Sequence, residues 1–459
     1  MTLIVTSDYT LNRVVAPRLP AAPVEYDHRF IEQYSNILRL YFNQLNNILG
    51  QLVASDTTIP VSIGGTNVDA FGRLRVSQPY TLFDSQQRYA ADNQFDTSTV
   101  NGASTTFLTN ESAVQMSVAA TTNSQAVRQT FRSMSYQPGK GLLLLATFAM
   151  NTPTANIRQR VGYFNTQNGV FFQANGTTLS MVLRSDSIPT PGTPSDARTV
   201  AQANWNGDKL DGTGPSGLTL DPSKTQILWM DFEWLGAGTV RCGFIIDGQF
   251  IVCHTFKNAN QITSVYMTTA ILPVRYEITN TAATASGSSM KQICSTVISD
   301  GGYEQTSIEH MARRTSVPGG SFITTAFYPL ASIRLASTAL GSVVVPFNYD
   351  FLPTTTDNYE IALIKNATLT GPSWTASATD PNVEVDYTAT ALTGGAIVSS
   401  GYTSGKSGRV PLASGNNYNW DMQVGVSLAG VSDTYTLAAR TLTGSGAGWG
   451  ALSFFDLTA

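Results

Sequence analysis

From residue 61 onward, apolar residues recur at every second position in short runs that Gly, Asn, Asp and Pro interrupt, a texture that belongs to antiparallel sheet. The run NGVFFQANGTTLSMVL shows the logic. Asn175-Gly176 makes a two-residue hairpin turn, which predicts Phe172 across from Leu179 and Val170 across from Met181 on one face, with polar residues such as Ser180 on the other. Further strands are expected at GLLLLATFAM (141–150), QILWMDFEWL (226–235), VRCGFII (240–246), GQFIVCHTF (248–256) and VRYEIT (274–279). The first is apolar on both faces and is therefore expected to be central and covered. TAATASGSS and SVPGGS (316–321) interrupt the pattern, which resumes in SIRLAS, SVVVPFNYDFL, YEIALIKNATLTG, WDMQVGVSLA and DTYTLAARTLTG. The expected organisation is mainly β: a large antiparallel sandwich of jelly-roll or concanavalin-like type over 61–315, then a smaller sandwich over 316–459.

The N-terminal segment follows a different rule. Residues 1–26 contain three prolines and no period, and are expected to be an extended arm that tethers the chain to a partner. Over 27–60, Ile31, Tyr34, Leu38, Tyr41, Leu45, Ile48 and Leu52 succeed each other at gaps of 3, 4, 3, 4, 3 and 4. That spacing predicts a coiled-coil helix whose seam is a trimer interface. Asp27 is placed to cap its first turn and Pro60 lies beyond its last apolar position. Phe30, Ile37, Phe42 and Leu49 widen the stripe past what two strands need, while Glu32, Ser35, Arg39, Asn43, Asn46 and Asn47 lie opposite. The alternative is an amphipathic helix resting on its own subunit.

Charged residues are 13% of the 459 and the net charge is -4, with no dense run of Lys and Arg. A general grip on nucleic acid needs many cationic phosphate contacts, so none is expected. The N-terminus lacks the basic region of a signal peptide, and no apolar run reaches the ~20 residues needed to span a bilayer, so the chain is expected to be made in a cytoplasm without membrane insertion. Three cysteines make neither a disulfide framework nor a metal cluster. The Asp247-Gly248 turn predicts Cys242 opposite Cys253, where a bridge is geometrically conceivable, but reduced thiols buried as small hydrophobes are expected.

Several long strings, taken in order, carry a family resemblance: EYDHRFIEQYSNILRLYFNQLNNIL, VDAFGRLRVSQPYTLFDSQQRY, RVGYFNTQNGVFFQANGTTLSMVLRS, WNGDKLDGTGPSGLTLDPSKTQILWMDFEWLGAGTVRCGFIIDGQFIVCHTF and LPVRYEI. They resemble a family of tailed-bacteriophage virion structural proteins of tail-fibre-like or baseplate-associated type. GSVVVPFNYDFL, NATLTGPSW, TATALTGG and DTYTLAAR look like the distal domain of the same family. The resemblance covers most of the chain. It implies a particle component located on the virion, joined to other virion proteins through the arm. A tail, collar or baseplate fibre and a head decoration are both compatible with it.

No enzymatic constellation is expected. Asp231 and Glu233 stand two apart on a strand, with carboxylates ~7 Å from each other, a separation that inverting glycoside hydrolysis tolerates. The competing reading is an outward polar face with Phe232 and Trp234 turned inward. His28, His254 and His310 lack metal-ligand spacing, so no metal or cofactor is expected; Asp208 and Asp211 in GDKLDGTGPSG offer oxygens to Ca²⁺, but the loop lacks the ordered ligand register of a dedicated site. GxSxG is missing and GTGPSG lacks the lysine of a phosphate cradle. If the protein contacts a host surface glycan, Tyr418, Trp420 and Trp449, expected on Gly- and Asn-rich loops, are the first residues to test.

Overall fold

The computed structural model describes residues 28–56, 78–304, 307–314, 322–405 and 420–458. The expected arm, Asp27, Pro60 and Tyr418 lie outside the described residues, as do the side chains of Ile48, Leu52 and Trp420. Two compact units make up the chain, 1–76 and 77–459.

In the first unit, helix α1 runs His28–Asp56. Of its seam, Ile31 is exposed, and Tyr34, Leu38, Tyr41 and Leu45 are half-buried. Leu40 and Phe42 are more than half exposed, so apolar surface extends to either side of the seam.

The second unit contains two sandwiches. The first pairs an eight-stranded sheet with a seven-stranded one. Gln249–Phe256, Val240–Ile246, Gln226–Phe232, Leu142–Ala149, Ser288–Ser299, Ala113–Val118 and Ser104–Leu108 follow each other across the larger sheet, and Tyr80–Gln86 also pairs with Ser288–Ser299. The smaller sheet runs Ser195–Ala201, Thr178–Ser185, Gly169–Asn175, Ile157–Phe164, Val274–Asn280, Gln125–Thr130 and Phe95–Val100. Alternate residues of the inner strands turn into one shared core, where Phe172 meets Phe148 at 6.0 Å and Phe244 edge-on at 5.1 Å. Leu142–Ala149 is central, as expected, but it is fully buried on one face and half-buried on the other.

Two hairpins refine the expected register. The Asn175-Gly176 turn closes one residue later, so Phe172 lies across from Met181 and Val170 from Leu183. Positive φ occurs at Gly176 (59°) and not at Asn175, so glycine takes the first of the two central positions. Because each partner moves by two residues, every side chain keeps its expected face. At the other hairpin Asp247 and Gly248 both have positive φ, 50° and 75°, the geometry this dipeptide favours. Register holds from Ile246↔Gln249 to Gly243↔Val252, and then a bulge brings His254, not Cys253, across from Cys242. Both of these thiols are free and buried, and burial pushes that of Cys253 up to about 12.

The second sandwich packs a six-stranded sheet on a three-stranded one around Leu330, Phe351, Tyr359, Leu437 and Phe454. Its three-stranded sheet is Glu309–Arg313, Gly448–Asp456 and Val344–Pro353, with Gly448–Asp456 central. Glu309–Arg313 pairs with the last strand, so the crossing from one sandwich to the other lies after Ser299 and before Glu309, ahead of the expected boundary at 315/316. Hydrogen bonds join the two sandwiches: the Val426 N–H donates to Phe131 O at 2.8 Å and the Leu428 N–H to an Asp96 carboxylate oxygen at 2.7 Å. Among the described residues no helix is long and apolar enough to cross a membrane.

Candidate functional site

The last strand opens Gly448-Trp449-Gly450, and alternation sends the glycines to one face and the indole to the other. A Cβ at Gly448 would stand 2.5 Å from the Phe351 ring, and one at Gly450 would stand 2.7 Å from Leu330. The core is full at this level, so the strand presents its bulk outward. Trp449 is therefore half-exposed on the outer face of the three-stranded sheet, on a strand and not on the expected loop.

Register supplies its neighbours. Leu352 lies across from Trp449; Ala451 has Asp350 on one side and Arg313 on the other. Together with Arg314 these residues line an open cleft of about 430 Å³. Leu352 is 61% exposed and adds its apolar surface to that of the indole. Arg314 is positioned by its own backbone, whose N–H donates to Gly450 O at 3.2 Å, and its guanidinium lies over the Tyr328 ring at 5.9 Å. Its Nε is buried and has no hydrogen-bond partner among the described residues. An apolar indole and a leucine beside one carboxylate and two guanidiniums combine an apolar patch with hydrogen-bond donors and an acceptor.

The other residues singled out by sequence have local roles. Asp231 lies at the end of its strand in an ion pair with Arg241, and Glu233 lies beyond the strand, exposed, so the two do not form a facing carboxylate pair. Phe232 is in the core and Trp234 packs edge-on against Tyr136 at 6.0 Å, as the polar-face reading predicts. The Asp208 carboxylate accepts the N–H groups of Leu210 (2.9 Å) and Ser216 (2.7 Å), and Asp211 accepts both the N–H and the hydroxyl of Thr213. For Asp208 burial raises the pKa, but the two backbone bonds outweigh it and hold the carboxyl below its ordinary range. These oxygens organise their own loop. Among the described residues no three His, Cys, Asp or Glu side chains gather as a metal site would require. His254 is buried, accepting at Nδ1 from Asn206 N–H, and His310 stacks on Phe454. Trp205 and Trp229 are core, and Trp420 begins a short 3₁₀ turn.

No protein-family model and no curated protein matches the chain. Solved structures similar to part of it include the carbohydrate recognition domain of Emp47p (12% identity, TM-score 0.31, 48% of this chain and 95% of that one). Others are arcelin-5, a lectin-like defense protein from Phaseolus vulgaris (9%, TM-score 0.30, 48% and 98%), and a legume lectin-like domain from Entamoeba histolytica (11%, TM-score 0.28, 48% and 97%). Likeness of this degree assigns neither a family nor a ligand.

Proposed function

We propose that this chain is a non-enzymatic, glycan-binding structural component of a tailed-phage particle, acting as a homotrimer held to other virion proteins by its N-terminal arm and helix. The glycan-binding part is carried by one observation: an indole forced outward by two inward glycines, beside Leu352, Asp350 and two arginines in an open cleft. The virion part is supported by the resemblance of long strings along the sequence, and the trimer by the 3.5-residue spacing of a wide apolar stripe on α1.

The glycan reading is tested by titrating the full chain with oligosaccharides released from bacterial capsule and lipopolysaccharide while following tryptophan fluorescence. Binding is expected, and Trp449→Ala is expected to weaken it by about tenfold or more, ~1.4 kcal/mol, without changing the melting temperature. If no surface oligosaccharide perturbs the wild-type signal, the reading fails. Light scattering is expected to return three chain masses, and a monomer at micromolar concentration would remove the trimer. Cleared halos on a capsulated lawn, lost in Asp231→Asn, would replace binding with depolymerisation.

A further inference from the structure

On the seven-stranded sheet the residues that turn away from the core are neither hydroxyls nor amides alone. Phe164, Phe171 and Val182 form a small cluster of their own there, all fully buried. Glycines make this possible: a Cβ at Gly162 would lie 2.7 Å from the Phe171 Cβ, and one at Gly169 would lie 2.1 Å from that of Phe164, so each ring lies down over a glycine across the strand pair. The rings meet at 4.4 Å between centroids.

Guanidiniums roof the rings. Arg160 and Arg184 sit over Phe171 at 5.0 and 5.3 Å, and Arg275 sits over Phe164 at 5.5 Å. Two carboxylates thread this group. Glu277 accepts from Arg275 at 2.8 Å and Arg158 at 3.2 Å and stands 3.6 Å from Arg160, while Asp196 accepts from Arg184 at 2.8 and 2.9 Å and from Arg160 at 3.1 Å. Gln173 and Gln129 accept further bonds from Arg160 and Arg275. Asp96, at the sheet's far edge, is taken by the Leu428 N–H. Among the described residues four guanidiniums thus share two carboxylates, leaving two positive charges on a face where three of the four arginine side chains are at most 13% exposed. Arg158, the most exposed of the four at 27%, bonds only to Glu277 among the described residues, and its buried Nε has no partner among them.

Partly desolvated charge without a counter-charge is unfavourable, and an anion arriving from solution would relieve it. Planar guanidiniums held by stacking and by carboxylates are already arranged for a planar or tetrahedral oxyanion, so little rotamer freedom is lost on binding. We propose that this face of the first sandwich binds the carboxylate or sulfate groups of an acidic polysaccharide, with Arg158 making the first contact. Single-stranded nucleic acid is disfavoured because it would need bare aromatic rings for its bases, and these rings are covered. The site lies on the other sandwich from the Trp449 cleft and does not depend on it.

The test is calorimetric titration of the full chain with an oligogalacturonate, a heparin oligosaccharide, a neutral dextran oligosaccharide and single-stranded DNA, at two salt concentrations. One or both acidic oligosaccharides are expected to bind, more weakly at high salt; uronate alone identifies carboxylate as the recognised group, heparin alone identifies sulfate. Arg158→Gln is expected to lower that affinity by at least about tenfold and to flatten the salt dependence, Arg158→Lys to lower it less, and Trp449→Ala to leave it unchanged. The proposal is overturned if neither acidic probe binds, if dextran or DNA binds as well, or if Arg158→Gln and Arg158→Lys, melting like the parent, bind at full strength.

Discussion

Glu277 illustrates how a charge is kept inside a face that excludes water. Burial alone would raise its pKa, but Arg275, Arg160 and Arg158 together outweigh that and hold the carboxyl below its ordinary range. Replacing it with Gln removes the counter-charge of three guanidiniums at once, and Glu277→Gln is expected to lose about 3 kcal/mol of stability in urea denaturation. The same arrangement sets a pH dependence. A folded-state pKa below the unfolded value of about 4.3 means that the stabilisation is fully present above that pH and is lost as pH falls through the depressed folded value. Asp196, also lowered on balance although burial is its largest single influence, adds to the loss. Asp300 and Asp380, pushed up by burial, work in the opposite sense over the acid range. Urea midpoints measured from pH 6 downward are expected to fall more steeply in the parent than in Glu277→Gln, and parallel curves would count against the electrostatic account.

At the scale of strands and helices, much was legible in the sequence because the periods are simple. Val240–Ile246 was readable to the residue, and α1 to within a few, since an alternating or heptad pattern can satisfy only one kind of element. Phase at the turns was harder. The Gly176 hairpin closes one residue late because only local φ decides which pair is central, and the bulge at Cys253 inserts a residue that counting outward from the turn does not foresee. The arginine face was missed: R-x-E in the expected strand VRYEIT puts an arginine and a glutamate on one face, but IRQRVGYF was not among the expected strands, and the convergence of its R-x-R with them needs the pairing of Val274–Asn280 with Ile157–Phe164. Two predictions belong here. If the chain is the trimer proposed above, Leu38→Asp combined with Leu45→Asp is expected to convert three chain masses to one in light scattering and to lower the far-ultraviolet helical signal. Gly248→Ala, at a φ of 75°, is expected to cost ~1 kcal/mol and to lower the melting temperature by a few degrees.

Across the whole second unit, stability depends on a seam as well as on two cores. Gly425 lies in that seam: a Cβ there would stand 2.7 Å from an Asp433 carboxylate oxygen and 3.0 Å from the Cβ of Phe131 in the first sandwich. Gly425→Ala is expected to wedge the sandwiches apart, so that scanning calorimetry of the variant resolves two transitions where the parent shows one; a single unshifted transition would mean the seam is slack. The glycines on either side of Trp449 have a different effect, on what the molecule is free to change. Because the interior admits no side chain at 448 or 450, the indole cannot trade faces with its neighbours, whereas Leu352, Asp350 and Arg313 are on flanking strands with open water above them. On the reading proposed above, a shift to a new host would be written in those three rim positions, while the aromatic platform stays constant from one variant to the next.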